Sequence, residues 1–200
     1  MKRVIDVILS ALILLILSPL VMLTCLLIRF KLGSPILFKQ ERIGYKEQVF
    51  IVYKLRTMSD ARDEKGQLLP DSVRLTRLGK IIRKLSIDEI PQLVNVLKGD
   101  MSIVGPRPLL VKYLPYYTER ERKRHQMKPG ITGLAQIAGR NTLKWDERFA
   151  IDVEYVENAS IWLDMKIMLL TIVKVLRKED IVDVPSDHLM DFDMERKLKA

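Results

Sequence analysis

From Val7 to Ile28 the chain carries no charged residue, and a straight helix of that length, at about 1.5 Å per residue, crosses a hydrocarbon core of about 30 Å. Lys2 and Arg3 precede the run, Arg29 and Lys31 follow it, and Ser18-Pro19 falls near its middle. Proline removes a backbone donor and presses on the carbonyl of Leu15, so the pattern predicts a kink, with the Ser18 hydroxyl available to a freed carbonyl. Two readings follow: a kinked spanning helix, or a segment that bends at mid-depth between cationic anchors and returns to the same face. No small-x-small site follows the run, which argues against a cleaved signal peptide.

Beyond it the apolar pattern shortens. Residues 35–40 and 48–54 are β-rich and flank a polar stretch with Gly44, which predicts a hairpin with a loop. Residues 56–70 are polar and read as a surface loop. Between Ser72 and Leu85, apolar Val73, Leu75, Leu78, Ile81, Ile82 and Leu85 alternate with Arg74, Arg77, Lys80, Arg83 and Lys84. That spacing predicts an amphipathic helix, either lying on an anionic bilayer or exposing a solvated basic face. A second helix is expected from Ile87 to Leu97, stopped at Lys98-Gly99 by a glycine suited to the left-handed C-terminal position. Residues 100–141 are punctuated by Gly and Pro and read as loop-rich. Ser160 caps a long apolar helix from Ile161 to about Arg177, expected in the core or partly inserted at an interface. The tail after Asp180 mixes acids with few apolar residues and is expected to be poorly ordered.

The chain has 200 residues, 48% hydrophobic and 30% charged, with a formal charge of +9. That length suits one domain beside a membrane element, and the charge points to an anionic partner: nucleic acid, acidic lipid or a phosphate-rich substrate. One cysteine, Cys25, allows no internal disulfide. The two histidines, His125 and His188, lack metal-ligand spacing and read as surface or packing residues. With no Gly-x-Gly-x-x-Gly fingerprint and no Gly-Lys-Ser/Thr phosphate loop, ordinary dinucleotide and ATP-binding domains are disfavoured.

The chemistry concentrates in three places. Asp88 and Glu89 are adjacent carboxylates at a helix start, in Ser86-Ile-Asp-Glu-Ile-Pro-Gln92. A capping box between Ser86 and Glu89 explains them without chemistry; the alternative is an ionised nucleophile or a divalent-cation ligand beside a diphosphate. Arg107 lies between Pro106 and Pro108, which hold a planar guanidinium ready for bidentate phosphate binding or simply make a rigid turn. The glycines of Pro129-Gly-Ile-Thr-Gly133 and of Gly139-Arg-Asn141 let backbone approach a ligand, with Arg140 as a second anion contact.

In order along the chain stand Lys54-Leu-Arg-Thr-Met58, Ser86–Gln92, Asn95-Val-Leu-Lys-Gly-Asp-Met-Ser102, Gly105-Pro-Arg-Pro108 and Lys128-Pro-Gly-Ile-Thr-Gly-Leu-Ala-Gln136. So ordered, the chain resembles the bacterial sugar transferases called monotopic phosphoglycosyl transferases, from the N-terminal run to about Arg177. The resemblance implies an α+β fold, mostly helical with a small β-hairpin, and three parts: a re-entrant membrane helix over 1–31 with its hinge at Ser18 and Pro19, a cytoplasmic catalytic domain over 32–179, and a C-terminal tail over 180–200. It implies interfacial amphipathic helices contacting membrane lipids at the cytoplasmic face of the bacterial inner membrane. Asp88 matches the family's nucleophile, which attacks the sugar-linked phosphate of a UDP-sugar and expels UMP. Glu89 completes the dyad, with Mg²⁺ bound nearby by Asp88 and Glu89. Arg107 matches a phosphate-contacting arginine, and Gln136 and Arg140 fall in the stretch associated with the nucleotide. The implied acceptor is a polyprenol phosphate such as undecaprenyl phosphate.

Two other functions compete. A membrane-tethered module binding nucleic acid or anionic lipid would show salt-dependent binding without turnover, but no helix-turn-helix or aromatic RNA-binding signature supports a nucleic-acid partner. An enzyme transferring the sugar without its phosphate would release UDP instead of UMP.

Overall fold

The computed structural model describes residues 1–139, 143–177 and 190–199. The expected hairpin forms: β1 (Leu37–Ile43) and β2 (Val49–Leu55) pair antiparallel, with Leu37 opposite Leu55 and Ile43 opposite Val49. Side chains alternate across a strand, so this register gives Phe38, Gln40 and Arg42 one face together with their partners Lys54, Val52 and Phe50. Val52 is buried there, and charged Arg42 and Lys54 flank it at opposite ends.

The apolar run is a single helix, α1 (Lys2–Lys31), with Pro19 inside it. The Leu15 carbonyl, which Pro19 cannot serve, accepts a hydrogen bond from Ser18 Oγ at 2.8 Å, the repair expected of a hydroxyl beside a helical proline. The middle of α1 is bare, Leu15 being 73% exposed, while both ends are anchored. Lys2 Nζ donates to Asp164 Oδ2 at 2.6 Å and to the Val104 carbonyl at 2.9 Å. Asp6 accepts from Ser102 Oγ at 2.9 Å and from the Ile103 N–H at 3.1 Å, and Arg3 donates to the carbonyls of Val96 and Leu97. At the other end Ile28 is completely buried in a cluster with Leu55, Ile82 and Ile87.

The single helix expected over Ser72–Leu85 is two, α2 (Asp71–Arg74) and α3 (Arg77–Lys84). Leu75 is extended, and Thr76 restarts the helix by accepting the Gly79 N–H at 3.0 Å. A Cβ on Gly79 would stand 1.9 Å from the Thr57 carbonyl oxygen, so α3 lies directly on the backbone that follows β2. Ile82 is buried while Ile81 stays exposed.

The helix expected from Ile87 also divides, because Pro91 ends a 3-10 turn (Ile87–Glu89) and α4 (Gln92–Lys98) starts after it. The capping box is absent: Ser86 sits at φ 55°, ψ 21° with no side-chain cap. A left-handed Ser86 has the wrong backbone geometry for an N-cap hydroxyl to reach forward, and Glu89 is engaged elsewhere. Gly99 does take the left-handed C-terminal position, at φ 96°. Asn95, fully buried, ties α4 to the hairpin by accepting the Tyr53 N–H at 3.2 Å and donating to the Ile51 carbonyl at 2.7 Å.

The stretch read as loop-rich contains regular structure. β3 (Ser102–Val104) and β4 (Gly130–Thr132) pair in parallel, followed by α6 (Leu134–Ala138), with α5 (Glu119–Arg122) between the strands. Strands of three residues show no readable alternation. Glycine makes their closeness possible, since a Cβ on Gly105 would meet the Lys128 carbonyl oxygen at 2.3 Å and one on Gly130 would meet the Gly105 nitrogen at 2.1 Å.

Helix α7 (Trp145–Glu157) has no counterpart among the expected elements, whereas α8 (Ile161–Arg177) matches the expected long helix, with Ser160 Oγ accepting the Leu163 N–H at 3.2 Å. One side of α8 is buried at Ile167 and the other exposes Trp162, Leu169 and Ile172. The poorly ordered tail does not hold for residues 192–199, which form α9 (Phe192–Lys199). Phe192 is completely buried among Tyr113, Tyr117, Trp145 and Phe149. One aromatic side chain in an aromatic pocket holds a helix that composition alone disfavours.

Candidate active site

Lys54, the penultimate residue of β2, lies on the hairpin face that carries Val52, and its ammonium reaches Glu89 Oε1 at 2.7 Å. Arg107 Nη2 donates to the same oxygen at 2.9 Å. The remaining residues of the Lys54–Met58 motif are structural. Leu55 enters the cluster around Ile28, Arg56 binds the Ser34 carbonyl at 3.0 Å, and Thr57 Oγ1 accepts from Arg83 Nε at 3.0 Å. The motif therefore joins the end of α1, helix α3 and the carboxylate dyad.

Asp88 differs from its neighbour. It is 8% exposed, and its carboxylate accepts no hydrogen bond among the described residues. Burial, reinforced by the negative charge of Glu89, pushes it up to about 6 against the pull of Lys54, Arg83 and Arg107. Burial also works to raise Glu89, but the charges of Lys54 and Arg107 and the hydrogen bonds from both outweigh it and hold Glu89 far below the usual carboxylate range. Glu89 in turn raises Arg107 above its ordinary value. Two adjacent carboxylates are thus driven apart: a permanently ionised anchor and a poised neighbour. The left-handed Ser86, two residues before Asp88, is a backbone conformation that non-glycine residues rarely take and that concentrates at functional sites.

Arg107 is fixed from behind. Gly105 N–H donates to the Thr132 carbonyl at 2.9 Å, and Gly130 N–H to the Pro106 carbonyl at 3.0 Å. The Gly-Pro-Arg-Pro and Pro-Gly-Ile-Thr-Gly motifs, read separately in the sequence, are one structural unit. The Arg107 carbonyl accepts Arg124 Nη2 at 2.7 Å, and the same nitrogen reaches Asp152 Oδ2 at 2.8 Å. Arg124 and Asp152 are 1% and 2% exposed at their side chains.

The structure therefore brings together Asp88, Glu89 and Arg107. Gln136 is not joined to them: it is buried in the middle of α6, donates to the Ile131 carbonyl at 3.4 Å, and leaves Oε1 without a partner among the described residues. Arg140 lies outside the described residues, as does His188. His125 is a packing residue, buried edge-on against Tyr117 with ring centroids 5.1 Å apart, and burial lowers it to about 4, leaving it neutral. The sequence placed Lys54 in an ordered motif and Arg83 on the basic face of a helix, and neither was picked out as a partner of the dyad. The signal for Lys54 was its place, two residues from Val52 on the buried side of a strand, where an unpaired lysine is costly.

The family model described as "Bacterial sugar transferase" matches residues 1–178. A protein of Bacillus subtilis named "Uncharacterized sugar transferase EpsL" is 55% identical over 181 residues, covering 90% of each chain. A UDP-glucose:undecaprenyl-phosphate glucose-1-phosphate transferase of Caulobacter vibrioides is 41% identical over 189 residues, covering 90% of this chain and 71% of its own. An Escherichia coli protein of the same name is 41% identical over 87% of this chain, which spans 40% of that longer relative. With nearly its whole length matched, the chain belongs to the bacterial sugar transferase family.

Proposed function

We propose that this protein transfers a sugar 1-phosphate from a UDP-sugar to a polyprenol phosphate such as undecaprenyl phosphate, through a phosphosugar held on Asp88. The observation that carries the reading is the pairing of a buried Asp88, whose carboxylate accepts no hydrogen bond among the described residues, with a Glu89 clamped by Lys54 and Arg107. Relatives named for glucose-1-phosphate transfer to undecaprenyl phosphate support the substrate classes.

In this scheme an Asp88 oxygen attacks the phosphorus attached to the sugar. The bond from that phosphorus to the bridging oxygen breaks, and UMP leaves with the electron pair. A phosphate oxygen of the lipid then attacks the same phosphorus, forming the lipid diphosphate sugar and returning the Asp88 carboxylate. Such transfers demand positioning and charge neutralisation, which Lys54 and Arg107 provide while Glu89 keeps them aligned. A covalent step lets a soluble donor and a membrane-bound acceptor use one site in turn.

The dyad fits Mg²⁺. The Asp88 oxygens accept no hydrogen bond among the described residues, and Mg²⁺ characteristically takes one or two carboxylates plus substrate phosphates and water. Asp88 and Glu89 would hold it, and when bound it supplies neutralisation of diphosphate charge.

The reading places the protein at the cytoplasmic face of the inner membrane, where nucleotide sugars are made, with α1 re-entering that face and α3 lying along it. Supporting re-entry, Arg3 and Ile28 both meet one body of structure, although a straight helix would separate them by about 38 Å. Single cysteines at Lys2 and Lys31 in a Cys25→Ser background should both resist an impermeant thiol reagent in intact cells; labelling of either makes α1 a spanning helix.

To test the chemistry, enzyme with a panel of UDP-sugars and Mg²⁺, but no lipid, should release about one UMP per active site and gain a phosphosugar mass on Asp88. Release of UDP, or continuous turnover without acceptor, would exclude the covalent scheme.

A further inference from the structure

Helix α9 (Phe192–Lys199) lies beyond the residues 1–178 that the family model matches, yet it is tied to three segments around Arg107. The first is the 3-10 stretch Val111–Tyr116, a few residues after Gly105–Pro108. There Lys112 Nζ meets Asp191 at 2.6 Å and Asp193 at 3.1 Å, and Tyr113 Oη donates to Asp191 Oδ1 at 3.2 Å. The second is the start of α7, where Trp145 Nε1 donates to the Met190 carbonyl at 2.9 Å and Asp146 Oδ1 accepts from Arg196 Nη2 at 2.8 Å. The third is α5, through an ion pair of Arg196 with Glu121. Exposed ion pairs contribute little on their own. The seat of the helix is Phe192, completely buried, with ring centroids 4.9 Å from Phe149, 5.3 Å from Tyr117 and 5.5 Å from Trp145 and Tyr113.

Two of those rings are also the walls against which Arg124 rests. Its guanidinium carbon lies 5.4 Å from the Phe149 ring and 5.8 Å from the Tyr117 ring, and Nη1 donates to Tyr117 Oη at 3.3 Å. Asp152, which holds another edge of the guanidinium, follows Phe149 by one turn of α7. The remaining nitrogen takes the Arg107 carbonyl at 2.7 Å. A single layer of rings therefore separates Phe192 from the group that fixes the backbone of Arg107. Protein interiors are close-packed and pass displacement on to their neighbours, so an emptied Phe192 site lets Tyr117 and Phe149 relax towards it and takes Arg124 with them. Arg107 has to meet Glu89 and a substrate phosphate at once, and a misplacement of about 1 Å at such a group costs about a hundredfold in rate.

We infer that Phe192 is a positioning residue, which sets Arg107 for the substrate phosphate through Tyr117, Phe149 and Arg124. This rests on the phosphosugar-transfer reading, in which Arg107 meets that phosphate. It makes α9, an element outside the family-matched region, a support of the active site: turnover depends on the helix being seated, and on Arg107 as the residue through which the seating is felt.

Full-length protein in nanodiscs is assayed for nucleotide release with undecaprenyl phosphate as acceptor and UDP-glucose as donor, or the other UDP-sugars of the panel where UDP-glucose is inactive. The temperature is one at which circular dichroism shows each variant folded. Phe192→Ala should lower kcat/KM for the donor about tenfold or more. In an Arg107→Lys background the same change should lower it less than about twofold, because effects that run through one group do not add. If Phe192→Ala fails to fold, Arg196→Gln takes its place, since it loosens α9 and leaves the aromatic pocket filled; its loss should be about threefold, and absent in the Arg107→Lys background. A folded variant with wild-type kcat/KM overturns the inference, and so does an equal loss in both backgrounds, which reduces α9 to a stabilising element. Wild-type turnover in Arg107→Lys alone removes the role of Arg107 at the phosphate, and the inference with it. Wild-type protein without release from any UDP-sugar overturns the inference and the phosphosugar-transfer reading together. Non-additive variants of an enzyme that releases UDP uphold the positioning role and remove only the covalent scheme.

Discussion

Arg124–Asp152 and Arg107–Glu89 are both arginine–carboxylate pairs, joined through the Arg107 carbonyl, yet they are built to different ends. In the inner pair each guanidinium nitrogen is matched: Arg124 donates to Asp152 Oδ2 at 3.1 and 2.8 Å, to Tyr117 Oη at 3.3 Å and to the Arg107 carbonyl at 2.7 Å. In the outer pair Glu89 is matched by Lys54 and Arg107, but the adjacent Asp88 is left buried and without a hydrogen bond among the described residues. The backbone leading to it is strained at Ser86. A satisfied buried network specifies structure, and an unsatisfied carboxylate beside it is a reactive group whose cost the surrounding fold sustains.

The sharpest way to break this contrast is Asp88→Asn, which should lower turnover at least about a thousandfold if Asp88 is the nucleophile. Near wild-type turnover would remove that role. In the unmodified protein kcat/KM should fall about tenfold per pH unit below about 6, because protonation of Asp88 removes the attacking form. Next in size is Asp152→Ala, which strands Arg124 in the interior and should destabilise the fold by about 3–5 kcal/mol in denaturant titrations. A change under about 1 kcal/mol would show that the inner pair is not structural. Smallest is the stability effect of Asp88→Asn. The folded value of about 6 lies above the ordinary 3.8, so ionised Asp88 opposes folding above pH 6 and stops doing so as pH falls towards 4. Asp88→Asn should therefore be more stable than wild type by about 2–3 kcal/mol at pH 7.5, with the difference gone by about pH 4.

Periodicity and local chemistry in the sequence were enough for the hairpin, α8 with its Ser160 cap, the Gly99 stop and the Ser18 hydrogen bond inside α1. Each depends on residues within a turn or a few strand positions, where spacing alone determines which groups can meet. The ordered motifs likewise carried the family and named Asp88, Glu89 and Arg107. Only the tertiary structure decided that Ser86 turns left-handed instead of capping, that Ser102–Val104 and Gly130–Thr132 pair as parallel strands, and that Phe192 seats α9 in an aromatic pocket. It also decided that Lys54 clamps Glu89 from 35 residues away and Arg107 from 18. Such contacts leave no period in the chain; they exist because burial brings distant segments together and forces each buried charge to find a partner or remain reactive.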